Sequence, residues 1–307
     1  MRPGRRNVTL DIAMKRKVRK AVFPAAGMGT RFLPATKAQP KETLPLVDKP
    51  LIQYGVEEAL ASGVDNIIVV TGRGKAAIED HFDRNAELEH ELKARGKTEE
   101  LALVKRISDL VRMSYIRQGE PLGLGHAVGV TKELVGEEPF AVILADDVIS
   151  AEVPALKQLL NIYDYFGAAV IAVMEVPEDK ISSYGVVDAT PVDFNGKKDR
   201  LFRVNNLVEK PPRGEAPSNL AIIGRYVVPY ELFDCIDGLQ PGAGGEYQLT
   251  DAIRSLMTRA PVYAYRFEGK RYDAGDKLGF LQATVEFALE REDLGGAFRE
   301  YLKQLKL

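Results

Sequence analysis

The segment Ala25-Ala26-Gly27-Met28-Gly29-Thr30-Arg31-Phe32-Leu33-Pro34 follows the apolar run Ala21-Val22-Phe23, so a strand should run into a glycine-rich turn. Glycine lets backbone approach a ligand closely and turn its N–H groups towards an anion. Arg31, and Lys41 within Pro40-Lys41-Glu42-Thr43-Leu44-Pro45, add fixed positive charge beside those donors. Such a turn suits a triphosphate. It is not a dinucleotide fingerprint, because Phe32 stands where G-x-G-x-x-G needs its third glycine, and no G-x-x-x-x-G-K-[ST] run follows Gly27.

Three further groups carry matching chemistry. Val142-Ile143-Leu144-Ala145-Asp146-Asp147 is a hydrophobic run ending in two carboxylates, and Asp273 closes the strand-like Arg271-Tyr272-Asp273. Ligands of open α/β sheets gather at the carboxyl ends of strands. Gln118-Gly119-Glu120-Pro121-Leu122-Gly123-Leu124-Gly125-His126-Ala127 enters a helix; Gln can donate to and accept from a nucleobase edge, and the glycines at 123 and 125 should leave room for a flat ring. Tyr184-Gly185-Val186-Val187 and Val208-Glu209-Lys210-Pro211 offer a close backbone approach, a carboxylate acceptor and an ammonium point charge. Asp147 and Asp276 also suit plain helix caps.

The elements that must position these groups alternate. Strands are expected at Lys20–Pro24, Asn66–Thr71, Met113–Arg117, Phe140–Leu144 and Ala168–Glu175, with helices near Pro50–Ser62, Lys75–Phe82, Asn85–Arg95, Gly125–Leu134 and Val153–Tyr165. That order implies βαβ units and a mostly parallel central sheet covered by helices on both faces, a Rossmann-like α/β fold. Tyr184–Asp188, Leu201–Val208, Leu220–Val228 and Val262–Phe267 read as an antiparallel extension of that sheet, forming one wall of a cavity, with Phe194-Asn195-Gly196-Lys197 as a hairpin turn. The stretch Asn219 to Tyr226, with Asn219 and Gly224 as contacts, should line the same cavity. The C-terminal stretch from Asp276 to Leu305 should be helical, broken at Gly295-Gly296.

With 307 residues and 45% hydrophobic content the chain can bury a sizeable core. A net charge of −2 gives no basic field for nucleic acid or a membrane surface, and no apolar run approaches the roughly 18 residues that cross a bilayer. The single Cys235 excludes an internal disulfide and fits a reducing, cytoplasmic setting. Residues 1–18 read as a basic flexible tail, within which Met14 stands as a second candidate start.

The spacing G-x-G-T-R-x-x-P, then P-K, then K-P at Lys49-Pro50, resembles the sugar nucleotidyltransferases, and the likeness runs from Arg19 to Glu290. Within them the chain is most similar to the bacterial branch that joins UTP to glucose 1-phosphate, on Lys37-Ala38-Gln39-Pro40-Lys41-Glu42, Gly123-Leu124-Gly125-His126-Ala127-Val128 and Glu246-Tyr247-Gln248-Leu249-Thr250-Asp251. The resemblance implies UTP and glucose 1-phosphate as substrates, UDP-glucose and pyrophosphate as products, Mg2+ as cofactor, and a homodimer or homotetramer. It implies one domain over 19–307, with a nucleotide-binding half at about 19–150 and a sugar-binding half with C-terminal helices at about 151–307. It assigns Arg31, Lys41 and Lys210 to catalysis, and Ala25, Ala26, Gly27, Gly29, Thr30, Gln118 and Gly123 to the nucleotide. Gly185, Glu209, Lys210, Asn219 and Gly224 fall to the sugar, and Asp146 and Asp273 to magnesium. Ala145 replaces the proline usual in that branch, leaving Asp146 and Asp147 both candidates to face the metal. The same chemistry with dTTP or CTP, and a non-catalytic nucleotide-sugar sensor, stay open at this point.

Overall fold

The computed structural model describes residues 16–305; most of the basic tail, Met14 included, lies outside them. In chain order the strands are β1 (Lys20–Pro24), β2 (Pro45–Leu46), β3 (Lys49–Pro50), β4 (Asn66–Thr71), β5 (Arg112–Arg117), β6 (Phe140–Ile143), β7 (Asp147–Ser150), β8 (Ala169–Glu175), β9 (Gly185–Phe194), β10 (Lys197–Glu209), β11 (Leu220–Val228), β12 (Val262–Arg266) and β13 (Lys270–Asp273).

Arg225 of β11 apart, the central strands are apolar through their middles because both faces of the sheet are covered. Side chains alternate between two cores: Val22, Ile68, Val70, Phe140 and Val142 enter one, Phe23, Ile67, Val69, Ala141 and Ile143 the other. Helices Leu124–Gly129, Leu232–Asp237 and Leu249–Leu256 cover the first core through Val128, Phe233 and Ile253. Helices Leu51–Ala61, Ala76–Phe82 and Ala155–Phe166 cover the second through Val56, Ile78 and Leu159.

The sheet order is β5-β4-β1-β6-β11-β8-β12-β10-β9. The ladders β5–β4, β4–β1, β1–β6 and β8–β12 are parallel, whereas β6–β11, β11–β8, β12–β10 and β10–β9 are antiparallel. The sheet is therefore mixed rather than mostly parallel. Reversal of β11 and β10 alone produces this. Only β9 and β10 form an edge extension; β11 lies between β6 and β8, buried along its whole length. The hairpin β9–β10 extends beyond the expected strands, through a turn with Asn195 (φ 54) and Gly196 (φ 77) in left-handed conformation.

Two departures are local. The expected helix Gly125–Leu134 divides into Leu124–Gly129 and Lys132–Val135. The C-terminal helices, Lys277–Glu290 and Gly295–Gln304, part at 291–294, and Gly295 opens the second because a side chain there would strike the Leu289 carbonyl.

Candidate active site

After β1 the chain loses its ladder partner and bends. Ala25 still donates its N–H to Val70 O (2.9 Å) and is buried, so its amide belongs to the sheet rather than to a ligand. Among the described residues no protein acceptor takes the N–H groups of Gly27, Met28 or Gly29. Gly29 has φ 65, and a side chain there would press on Thr36 and Lys41. Thr36 Oγ1 donates to Gly29 O (2.7 Å), folding the turn onto the segment that carries Lys41.

That packing sends two cations to distant parts of the chain. Lys41 Nζ lies 2.5 Å from Asp146 Oδ2, and an Arg31 guanidinium nitrogen lies 3.5 Å from Gly275 O. A Cβ on Gly275 would stand 3.0 Å from Asp146 Oδ2 and 3.1 Å from Asp273 Oδ1, so both carboxylates converge beside that glycine. Burial works to lower the Lys41 pKa, but Asp146 and Glu42 outweigh it and hold the ammonium above its ordinary value. Burial likewise works to raise Asp146, and Lys41 outweighs it, keeping the carboxylate below its usual range. Two hard oxygen donors, with room for phosphate oxygens and water, fit magnesium; among the described residues no group of three or more His, Cys, Asp or Glu side chains forms a closed cage.

The choice between Asp146 and Asp147 follows from hydrogen bonding. Asp147 Oδ2 accepts from the Gly224 N–H (3.0 Å), and Oδ1 from Arg271 Nε (2.5 Å). Arg271 also donates to Asp273 Oδ2 (3.1 Å) and Tyr184 Oη (3.0 Å). Burial opposes the Arg271 charge, but Asp147 and Asp273 outweigh it and keep the guanidinium protonated. Asp147 thus has both oxygens engaged by donors of the protein, and Asp146 lines the same cavity as Asp147 with Oδ2 against Lys41.

Two cavities flank the turn. Ala26, Gly27, Met28, Lys75 and Gln118 help line one of about 370 Å³. Arg31, Asp146, Asp273, Gly185, Glu209 and Gly224 help line the other, about 860 Å³. Glu209 Oε2 accepts from Thr250 Oγ1 (2.6 Å), and its Oε1 lies 3.4 Å from Lys210 Nζ. Lys210 is half-exposed and has φ 43, a left-handed conformation unusual outside glycine, with its N–H on Tyr184 O (3.1 Å).

Several expectations change. The space left by Gly123 and Gly125 is filled by backbone, not offered to a ring: side chains there would lie 2.9 Å and 2.8 Å from Tyr247 O. Gly224 has the same role against Leu144 and Asp147. Asn219, Thr30 and Lys210 are exposed, and none of the three lines either cavity wall. Ile222, Gly224 and Tyr226 face the larger cavity, but Arg225 between them does not.

Arg225 was not legible as a separate element of the site. It is 1% exposed, donates to both Glu58 oxygens, and gives its remaining N–H groups to the carbonyls of Leu144, Gly224 and Asp147. Its signal is a lone charge inside Leu220-Ala221-Ile222-Ile223-Gly224-Arg225-Tyr226-Val227-Val228, where burial demands a partner. Arg271 had a weaker signal, two residues before Asp273 and so on its face of β13.

A family model described as nucleotidyl transferase matches residues 20–290. The chain is 55% identical over 279 residues to the UTP–glucose-1-phosphate uridylyltransferase of Bacillus subtilis (strain 168), covering 91% of this chain and 94% of that one. It is 50% identical over 292 residues to the enzyme of the same name from Staphylococcus epidermidis (strain ATCC 12228 / FDA PCI 1200), covering 95% of this chain and all of that one. A UTP-bound UGPase from Acinetobacter baumannii superposes with a TM-score of 0.86 at 41% identity, over 94% of this chain and 100% of that one. A UDP-glucose pyrophosphorylase complexed with UDP-glucose gives 0.81 at 40% identity, over 89% and 100%.

Proposed function

Because this chain belongs to the nucleotidyl transferase family, we propose that its two cavities are halves of one active site, the smaller for the nucleobase and the larger for sugar and metal. The enzyme converts UTP and glucose 1-phosphate to UDP-glucose and pyrophosphate. The observation that carries the site assignment is the contact of Lys41 with Asp146 beside Gly275, to which Arg31 also reaches.

The attacking phosphate is already an oxyanion, so no general base is needed; one O–Pα bond forms as the bond from the α-phosphorus to the pyrophosphate oxygen breaks. Positioning and charge stabilisation do the rest. The open amides of Gly27, Met28 and Gly29 cradle the triphosphate, and Ala26 and Gln118 meet the base. Arg31 and Lys41 stabilise the leaving pyrophosphate. Lys210 orients the sugar phosphate, and Glu209, held by Thr250, accepts from sugar hydroxyls beside Gly185. Asp146 and Asp273 would hold Mg2+, which supplies charge neutralisation at the transferring phosphate. Arg271 and Tyr184, with Asp147 behind Arg271, hold Asp273 in place.

The reading treats residues 19–307 as one catalytic unit. The lone buried Cys235 supports a cytoplasmic setting, and the enzyme is read as a homodimer or homotetramer. None of the described helices is long and apolar enough to cross a membrane. Incubation with glucose 1-phosphate, Mg2+ and each of UTP, dTTP and CTP, reading pyrophosphate release, tests the reaction. Fastest release with UTP is expected; no release with any of them would refute it.

A further inference from the structure

We propose that His126 sets the nucleotide preference of this enzyme by fixing which end of the Gln118 amide meets the base. The inference rests on the reading of the smaller cavity as the base pocket. Gln118 is 6% exposed and helps line that cavity. One end of its amide lies 3.3 Å from Gly123 O, and a carbonyl can only accept, so that end is Nε2. The same nitrogen lies 2.8 Å from His126 Nδ1. With both N–H bonds of the amide directed to Gly123 and His126, Nδ1 must accept, which places the neutral imidazole proton on Nε2 of the ring. The amide nitrogen is then spent. Among the described residues nothing donates to Gln118 Oε1, so this oxygen is presented to the ligand as an acceptor.

An acceptor selects among bases. Uracil and thymine carry an N–H at ring position 3, whereas cytosine carries a lone pair there. Oε1 pairs with the first and opposes the second. A site whose buried polar group is left unpaired by the wrong ligand discriminates strongly against it. His126 thus acts as a positioning residue through Gln118, separating uracil and thymine from cytosine but not from each other. Its place is fixed by the same loop: Gly125 N–H donates to Tyr247 O (2.7 Å), and Tyr247 N–H to Leu122 O (2.8 Å), pinning both sides of the helix start.

The test compares kcat/KM for UTP and CTP in the wild type, His126→Leu and His126→Asn, with glucose 1-phosphate as co-substrate. Leucine offers no acceptor and leaves the amide held in this orientation only by Gly123 O, the longer of its two contacts at 3.3 Å. His126→Leu should narrow the UTP-over-CTP ratio roughly tenfold with KM for glucose 1-phosphate unchanged. Asparagine can place an oxygen where Nδ1 stood, and should keep the ratio within about threefold of wild type. A folded His126→Leu variant with the wild-type ratio, or equal loss in both variants, overturns the proposal. Should the leucine variant not fold, 15N spectra of the wild-type histidines decide: an unprotonated Nδ1 on His126 is expected, and a protonated one refutes the assignment. A wild type that releases no pyrophosphate from UTP would overturn the functional reading itself. A wild type selective for UTP beside an unaltered leucine variant overturns only the role of His126.

Discussion

Glu58→Gln tests whether the Arg225 pair holds the loop that carries Asp146. The change keeps side-chain volume and removes one charge. Arg225 is fully buried and reaches the Glu58 oxygens at 3.1, 3.2 and 2.8 Å, while Glu58 Oε1 also accepts from Leu156 N–H at 2.9 Å. Every partner of this carboxylate is a donor, so a glutamine NH2 must face at least one of them. Removing one member of a buried ion pair costs about 3–5 kcal/mol, because the other charge stays desolvated. The three carbonyls that Arg225 also contacts remain, and keep the cost near the lower end, about 3 kcal/mol. With a urea slope of roughly 3 kcal/mol/M, the unfolding midpoint should fall by about 1 M. Leu144 and Asp147, whose carbonyls Arg225 holds at 3.1 and 2.7 Å, flank Asp146. The folded variant should therefore also need several-fold more Mg2+ for half-maximal pyrophosphate release. Urea denaturation with parallel Mg2+ titration measures both. A midpoint shift under about 0.3 M at unchanged slope, with an unchanged Mg2+ requirement, would refute the reasoning.

Lys210→Ala should lower turnover and raise KM for glucose 1-phosphate far more than KM for UTP; steady-state kinetics showing equal effects would contradict its place on the sugar phosphate. Lys41→Ala should cost about 10²-fold or more in kcat, as loss of a preorganised charge does, and steady-state kinetics on the folded variant measure it. Gly125→Ala forces a methyl group to within 2.8 Å of Tyr247 O and 3.1 Å of the Gln248 carbonyl carbon, and should destabilise the protein by about 1–3 kcal/mol in urea melts. Burial lowers the pKa of His81, whose Nε2 lies 2.9 Å from Gln53 Oε1. Its folded-state value lies below its unfolded one, so the stability from neutral His81 is complete above about pH 6.5 and is lost as pH falls from there. Thermal scans across that range should show a smaller acid loss in His81→Gln.

The boundaries of β1, β4 and β11 were readable to the residue because each is an apolar run whose alternate side chains enter opposite cores. The outer halves of β9 and β10 were not, since Thr190, Asp193 and Lys198 give an edge hairpin no hydrophobic period. Local motifs named Arg31, Lys41, Asp146 and Asp273, where a turn or strand end carries its own signal. What brings them together was hidden: Lys41 meets Asp146 across 105 positions, and Arg225 meets Glu58 across 167. The glycines at 123, 125 and 224 were legible as close approaches. What approaches them is this chain's own backbone or side chains, and residue type alone does not distinguish that from a ligand.

The short ladder β7–β13 sets Asp273 opposite Asp147, and Ala274 N–H donates to Asp146 O at 2.9 Å. During synthesis, a nascent chain can therefore assemble the strands of its first half long before it owns both carboxylates. Until Asp273 has cleared the ribosome and paired alongside β7, Asp146 lacks the second carboxylate of the proposed metal site.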